Sequence, residues 1–136
     1  PAPAQIEPPK IHSRRILVVD DEEDMAELFA SILEQDGHQT LAVTDGFAAQ
    51  AAIRTFDPEV VLLDIGLPQM DGYEVAKKIR EEHGEKKILL IAVTGYQKDA
   101  ARLTQAGFDQ HLIKPPNLEK LSAMLSAWDT GGQSPP

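Results

Sequence analysis

Short unbroken apolar runs alternate along this chain with stretches in which apolar residues recur every three or four positions. Ile16-Leu17-Val18-Val19 is the first run. Met25, Leu28, Phe29, Ile32 and Leu33 then fall at i, i+3, i+4, i+7 and i+8, which predicts a helix with that face inward. Gly37 suits its left-handed stop. Gln39 to Val43 reads as a second strand of mixed polarity. A helix over about 46–55 follows, with the small residues Ala48, Ala51 and Ala52 inward. Val60-Val61-Leu62-Leu63 is a third strand that ends on Asp64, with Pro58 before it and Gly66-Leu67-Pro68 after it. A helix over about 72–82 turns Val75, Ala76 and Ile79 inward. Ile88 to Val93 is a fourth strand, apolar throughout. A weak helix over about 98–106 stops at Gly107, and Gln110 to Ile113 is a short fifth strand. Asn117 caps a last helix carrying Leu118, Leu121, Met124, Leu125 and Trp128.

Five strands alternating with five helices predict the α/β class, a doubly wound parallel sheet of (βα)5, flavodoxin-like topology. Strands one, three and four are apolar on both faces and belong in the centre. Strands two and five are mixed and belong at the edges. The order 2-1-3-4-5 satisfies both requirements. It sets strands one and three side by side where the winding reverses, the crevice in which such sheets bind ligands.

The ends of the strands carry the candidate chemistry. Strand one runs into Asp20-Asp21 and strand three into Asp64. Unit charges about 4 Å apart repel by about 4 kcal/mol at an effective dielectric near 20, so the cluster calls for a cation or a raised pKa. Oxygen ligands with open water positions suit Mg²⁺. The alternative for Asp21 is simply to cap the first helix. Strand four delivers the hydroxyl of Thr94 to the same rim, and strand five delivers the ammonium of Lys114. A phosphoryl group on Asp64 would meet Mg²⁺, Thr94 and Lys114.

Composition narrows the setting. Acidic residues number 22 against 13 basic ones, a formal charge of -9, which argues against nucleic-acid or anionic-membrane binding across the whole surface. No cysteine is present, which removes disulfides and thiolate metal sites and makes the cytosol the default. No apolar run approaches the ~18 residues of a membrane span. Residues 1–13, PAPAQIEPPKIHS, read as a proline-rich linker or tail, 14–128 as the folded domain and 129–136 as a disordered tail. The start at Pro1 suggests a processed or excised fragment. His12, His38 and His83 have no partner spacing and read as surface residues; Trp128 reads as core or as a partly exposed helix end.

Residues 15–128 resemble the receiver domains of bacterial two-component response regulators. The resemblance rests on Ile16-Leu17-Val18-Val19-Asp20-Asp21, on Val61 through Gly72, on Val93-Thr94-Gly95 and on Leu112-Ile113-Lys114-Pro115. It implies that Asp64 accepts the phosphoryl group. Asp20, Asp21, Asp64 and the backbone carbonyl of Gly66 would hold Mg²⁺, Thr94 would be the switch hydroxyl, and Lys114 the phosphate-binding lysine. It also implies a cis Lys114–Pro115 bond. The family usually has Tyr or Phe three residues before the lysine; here His111 takes that place and is the candidate second half of the switch.

The implied partner is a histidine kinase or a histidine phosphotransfer protein. Neither direct nucleic-acid binding nor membrane contact is expected of this segment, and a phosphorylation-dependent dimer is. The domain would not be an independent enzyme, catalysing only its own aspartyl phosphorylation and dephosphorylation. The parent expected from the proline-rich entry is a hybrid histidine kinase, with a stand-alone regulator as the other arrangement. The rival function is a phosphorylation-independent interaction module, though such relatives typically lose the Asp or the Lys that this chain keeps. An aspartyl-phosphate phosphatase would need a second Asp where Gly66 stands.

Overall fold

The computed structural model describes residues 13–67, 71–84, 86–95, 100–114 and 116–128. Its elements are β1 (Arg15–Val19), α1 (Glu23–Gln35), β2 (Gln39–Val43), α2 (Gly46–Thr55), β3 (Val60–Asp64), α3 (Gly72–Glu82), β4 (Leu89–Thr94), α4 (Ala100–Ala106), β5 (Gln110–Ile113) and α5 (Leu118–Ala127). The five strands are all parallel in the order β2-β1-β3-β4-β5, as expected from their polarity. Residues 1–12 of the proline-rich start, the last eight residues and Pro115, on which the expected cis bond falls, lie outside the described residues.

Alternating side chains split the core into two layers. Leu17, Val19, Val61, Leu63, Leu90 and Ala92 pack under α2, α3 and α4. Ile16, Val18, Val60, Leu62, Ile91, Val93 and Leu112 pack under α1 and α5. Helices on both faces make the sheet doubly wound. Among the described residues no helix is long and apolar enough to cross a membrane.

Several local expectations shift. Residues Ala26, Ala30 and Leu33 are the buried stripe of α1, while Leu28 is 52% exposed. The inward stripe is therefore rotated toward small residues, which let the helix lie close on β1 and β2. In α2 the buried residues are Gly46, Ala49, Ala52 and Ile53, whereas Ala51 is exposed. β4 begins at Leu89 and takes in Thr94, one residue later than expected. The start of α4 is seen from Ala100, since 96–99 lie outside the described residues. Asp21 does not cap α1: Glu22 occupies that position with no side-chain cap bond. Gly37 and Gly107 do take positive φ, at 98° and 107°, and Asn117 does cap α5 through the N–H of Lys120.

His38 is a clearer correction. It is buried, and its Nδ1 accepts the backbone N–H of Arg14 at 3.1 Å. Arg14 is itself buried at the start of the sheet. Its guanidinium donates to the carbonyl of Trp128, lies 5.2 Å from that indole's centre, and sits 3.7 Å from Glu59. Trp128 is half-buried there, at the end of α5. This cluster ties the starts of β1, β2 and β3 to the C-terminal end of α5.

Burial pushes the His38 pKa below its ordinary 6.5, with Arg14 adding to the effect and Asp36 and Glu59 opposing it. Above 6.5 the imidazole is neutral folded or unfolded. As pH falls below 6.5 the unfolded chain takes the proton first, so stability is lost until the folded pKa is passed. Urea unfolding at about pH 7.5 and about pH 5.5 should show a larger loss in the parent than in His38→Gln. Equal losses would mean that the buried imidazole does not contribute.

Candidate functional site

Parallel register brings the carboxyl ends of β1, β3, β4 and β5 to one rim. Asp20 extends β1, its N–H donating to the carbonyl of Val43 at 3.2 Å. Asp64 closes β3 opposite Val93, and Lys114 extends β5, its N–H donating to the carbonyl of Thr94 at 2.7 Å. Strand alternation puts Asp20, Asp64 and Lys114 on the α1–α5 side of the sheet, following Val18, Leu62 and Leu112. Thr94 and His111 take the other side, the one covered by α4, since Ala92 pairs with His111 and lies under that layer.

Asp20 and Asp64 are buried, at 4% and 6% exposure, while Asp21 is exposed. One carboxylate oxygen from each of the three lies within 4.8 Å of the others. Both oxygens of Asp64 are engaged: Oδ1 accepts the N–H of Gly66 at 2.9 Å, and Oδ2 accepts Lys114 Nζ at 2.9 Å. Asp20 Oδ1 accepts the N–H of Glu22 at 3.0 Å, and its Oδ2 lies 3.9 Å from Lys114 Nζ.

Burial is the main reason that Asp20 holds its proton more tightly than an ordinary carboxyl. The charges of Asp64 and Asp21 add to that, against the Glu22 N–H and Lys114. For Lys114 burial alone would lower the pKa, but the Asp64 hydrogen bond and the charges of Asp64, Asp20 and Asp21 outweigh it and raise it. The ammonium is held charged among the carboxylates. Thr94 Oγ1 is buried and has no hydrogen-bond partner among the described residues.

The loop after β3 is shaped by residues to which the sequence reading gives no structural duty. Asp71 caps α3, its Oδ1 accepting the N–H of Glu74 at 2.9 Å. The Asp71-Gly72-Tyr73-Glu74 spacing is the capping-box pattern, so the signal is present in the chain. At Gly72 a Cβ would stand 2.7 Å from the Ile65 Cα and 2.8 Å from the Asp64 carbonyl oxygen. Only glycine lets α3 start this close beneath Asp64. By contrast Gly66 is open, with the Asp64 Oδ1 3.7 Å from where its Cβ would be.

With this rim in place, comparison with known proteins decides the family. Residues 16–126 match the response regulator receiver domain. The chain belongs to the response regulator receiver domains. Receivers are the phospho-accepting modules of two-component signal transduction.

Among curated relatives, the transcriptional regulatory protein TcrA of Mycobacterium tuberculosis is 36% identical over 126 residues, covering 93% of this chain and 50% of TcrA. The DNA-binding response regulator MtrA of Mycobacterium leprae is 35% identical over 114 residues, 84% of this chain and 50% of MtrA. The chain thus spans about half the length of these relatives. Among solved structures, the signal receiver domain of a signal transduction histidine kinase from Syntrophus aciditrophicus superposes with a TM-score of 0.74 at 28% identity. That match covers 84% of this chain and 88% of the other.

Proposed function

We propose that Asp64 is the phospho-acceptor of this receiver and takes its phosphoryl group from a phosphohistidine on a partner kinase or phosphotransfer protein. The observation that carries this reading is the buried Asp64 carboxylate, bonded to Lys114 at 2.9 Å and grouped with Asp20 and Asp21 within 4.8 Å. An Asp64 oxygen forms the new bond to phosphorus as the phosphorus–nitrogen bond breaks, and the electron pair leaves with the imidazole nitrogen. Such transfer depends mainly on positioning and charge neutralisation.

The all-oxygen donor set fits Mg²⁺, which Asp20, Asp21, Asp64 and the Gly66 carbonyl would hold. When bound, the ion supplies positive charge against the phosphoryl oxygens. Lys114 supplies a second positive charge, its Nζ 2.9 Å from Asp64 Oδ2. The Gly66 N–H and Lys114 orient the two Asp64 oxygens beforehand. The unpartnered Thr94 hydroxyl gains a partner if it swings to a phosphoryl oxygen, which removes the cost of a buried unsatisfied group. His111, on the same sheet face, then fills the space that Thr94 vacates. That coupled move changes the surface of α4, β5 and α5. Driving such a switch from 1:99 to 99:1 takes about 5.5 kcal/mol of differential stabilisation. A phosphorylation-dependent dimer through that surface belongs to the same reading, as does work in the cytoplasm.

The names of TcrA and MtrA favour a transcriptional regulator as the parent chain over the hybrid kinase expected from the proline-rich entry. Likeness to a kinase receiver at 28% identity stands on the other side.

Incubation with acetyl phosphate and Mg²⁺, read by intact mass, tests the assignment. The expected result is a gain of one phosphoryl group that chelation of Mg²⁺ prevents. A protein that gains none would be a phosphorylation-independent interaction module.

A further inference from the structure

Among the described residues α4 spans Ala100–Ala106 and turns only Leu103 and Ala106 into the core. Among the contacts that fasten it within the described residues, two differ in kind. At its C-terminal end Arg80 of α3 grips the following turn: Nε and Nη2 donate to the carbonyl of Gly107 at 3.0 and 2.8 Å. Nη1 donates to the carbonyl of Ile88 at 2.9 Å, and Nη2 to Asp109 Oδ2 at 2.8 Å. That oxygen also accepts the N–H of Leu90 at 2.9 Å. The turn is thus bolted to α3 and β4 together. Only glycine at 107 lets Arg80 lie this close, because a Cβ there would meet Arg80 Cγ at 2.7 Å.

Nearer its N-terminal end α4 is held differently. The Arg102 guanidinium lies over the Tyr73 ring, 3.9 Å from its centre. Tyr73 is buried in the first turn of α3, directly after the loop from Asp64, and its ring meets Phe108 edge-on with centroids 6.5 Å apart. Arg102 itself is exposed. A cation over a ring face at an exposed site is a weak, reversible contact.

We propose that Arg102 on Tyr73 is a latch that holds α4 in its unphosphorylated position, with the Arg80-gripped turn at Gly107 as the fixed pivot. The latch joins the first turn of α3, which follows the loop after Asp64, to the helix whose displacement is the output, by a path separate from Thr94 and His111. It opposes switching, and so sets how much of the domain is ready to be phosphorylated. This inference rests on the receiver reading above.

Arg102→Ala, Tyr73→Leu, the double variant and Tyr73→Phe test it by two measurements. In the unmodified protein, amide hydrogen exchange across 100–106 should speed about threefold or more in Arg102→Ala and Tyr73→Leu, the scale of one exposed cation–π contact. Tyr73→Phe, which keeps the ring face, should behave as the parent. Apparent affinity for beryllofluoride with Mg²⁺ should tighten by a similar factor, because a larger fraction of the domain is already competent. The double variant should gain no more than either single one, since both remove the same contact. Unchanged exchange, additive effects, or equal beryllofluoride affinity in parent and Arg102→Ala would overturn the latch. A parent that binds no beryllofluoride at all would instead overturn the receiver reading, and with it the latch's role in signalling.

Discussion

Asp64→Asn is expected to abolish phosphoryl uptake from acetyl phosphate, with the intact mass unchanged after incubation with Mg²⁺ while the parent gains one phosphoryl group. The reason is chemical before it is structural. An amide oxygen is a far poorer nucleophile than a carboxylate and leaves no stable acyl phosphate, so the loss should be complete rather than graded. The geometry makes Asn a fair control. Asp64 Oδ1 accepts from the Gly66 N–H and Oδ2 accepts from Lys114 Nζ. An Asn carbonyl can keep the first bond while its NH₂ group faces the ammonium. The fold should therefore survive even though the hydrogen bond to Lys114 is broken. Phosphorylation of the variant at another residue would show as a mass gain in both proteins and would displace Asp64 as the acceptor.

The second large effect should run in two directions at once. Asp20→Asn is expected to lower the rate of Mg²⁺-dependent phosphorylation by at least about a hundredfold, while raising the thermal midpoint of the metal-free protein by a few degrees. The loss follows from removing one of the three clustered carboxylates, which leaves an incomplete oxygen cage for a hard cation. The gain follows from burial. Asp20 is 4% exposed beside two other carboxylates, and desolvation raises its pKa above the ordinary 3.8. A carboxyl with a raised folded pKa favours folding below its unfolded pKa and loses that benefit as pH climbs through the folded one. At neutral pH its charge therefore opposes folding, and a neutral isostere relieves it. The Asn oxygen can still accept the Glu22 N–H. A few degrees corresponds to a change of about 1 kcal/mol or less in a domain of this size. Thermal melts with and without Mg²⁺, beside phosphorylation rates, check both halves. A variant that melts below the parent in the absence of metal would show that the Lys114 ammonium at 3.9 Å outweighs burial and the carboxylate repulsion together.

Both predictions draw on positions legible in the linear chain. Asp20, Asp21, Asp64, Thr94 and Lys114 stand out because each follows an apolar run, and parallel strands of a doubly wound sheet all end at one rim. Strand order can be read for a similar reason. A strand covered on both faces must be apolar throughout, and burial of β3 and β4 is complete while β2 and β5 are mixed. Periods of two and of three to four residues are properties of the local backbone, so the alternation of elements needs no tertiary knowledge.

Tertiary structure decided what periodicity leaves degenerate. The apolar stripe of α1 is wide enough to seat in more than one rotation, and close approach to β1 and β2 selected Ala26 and Ala30 over Leu28. His38 reads as a surface residue in the linear chain because nothing near it announces Arg14, 24 positions away. Arg14 reaches Trp128 across 114 positions, Lys114 reaches Asp64 across 50, and Arg80 reaches Gly107 across 27. Arg102 and Tyr73 carry no motif at all, yet they stack. Local pattern determined the elements, their order and the rim chemistry of this receiver. The partner of each buried or half-buried charge was decided only when the sheet had closed, because such a contact depends on distances the chain does not contain until distant segments pack.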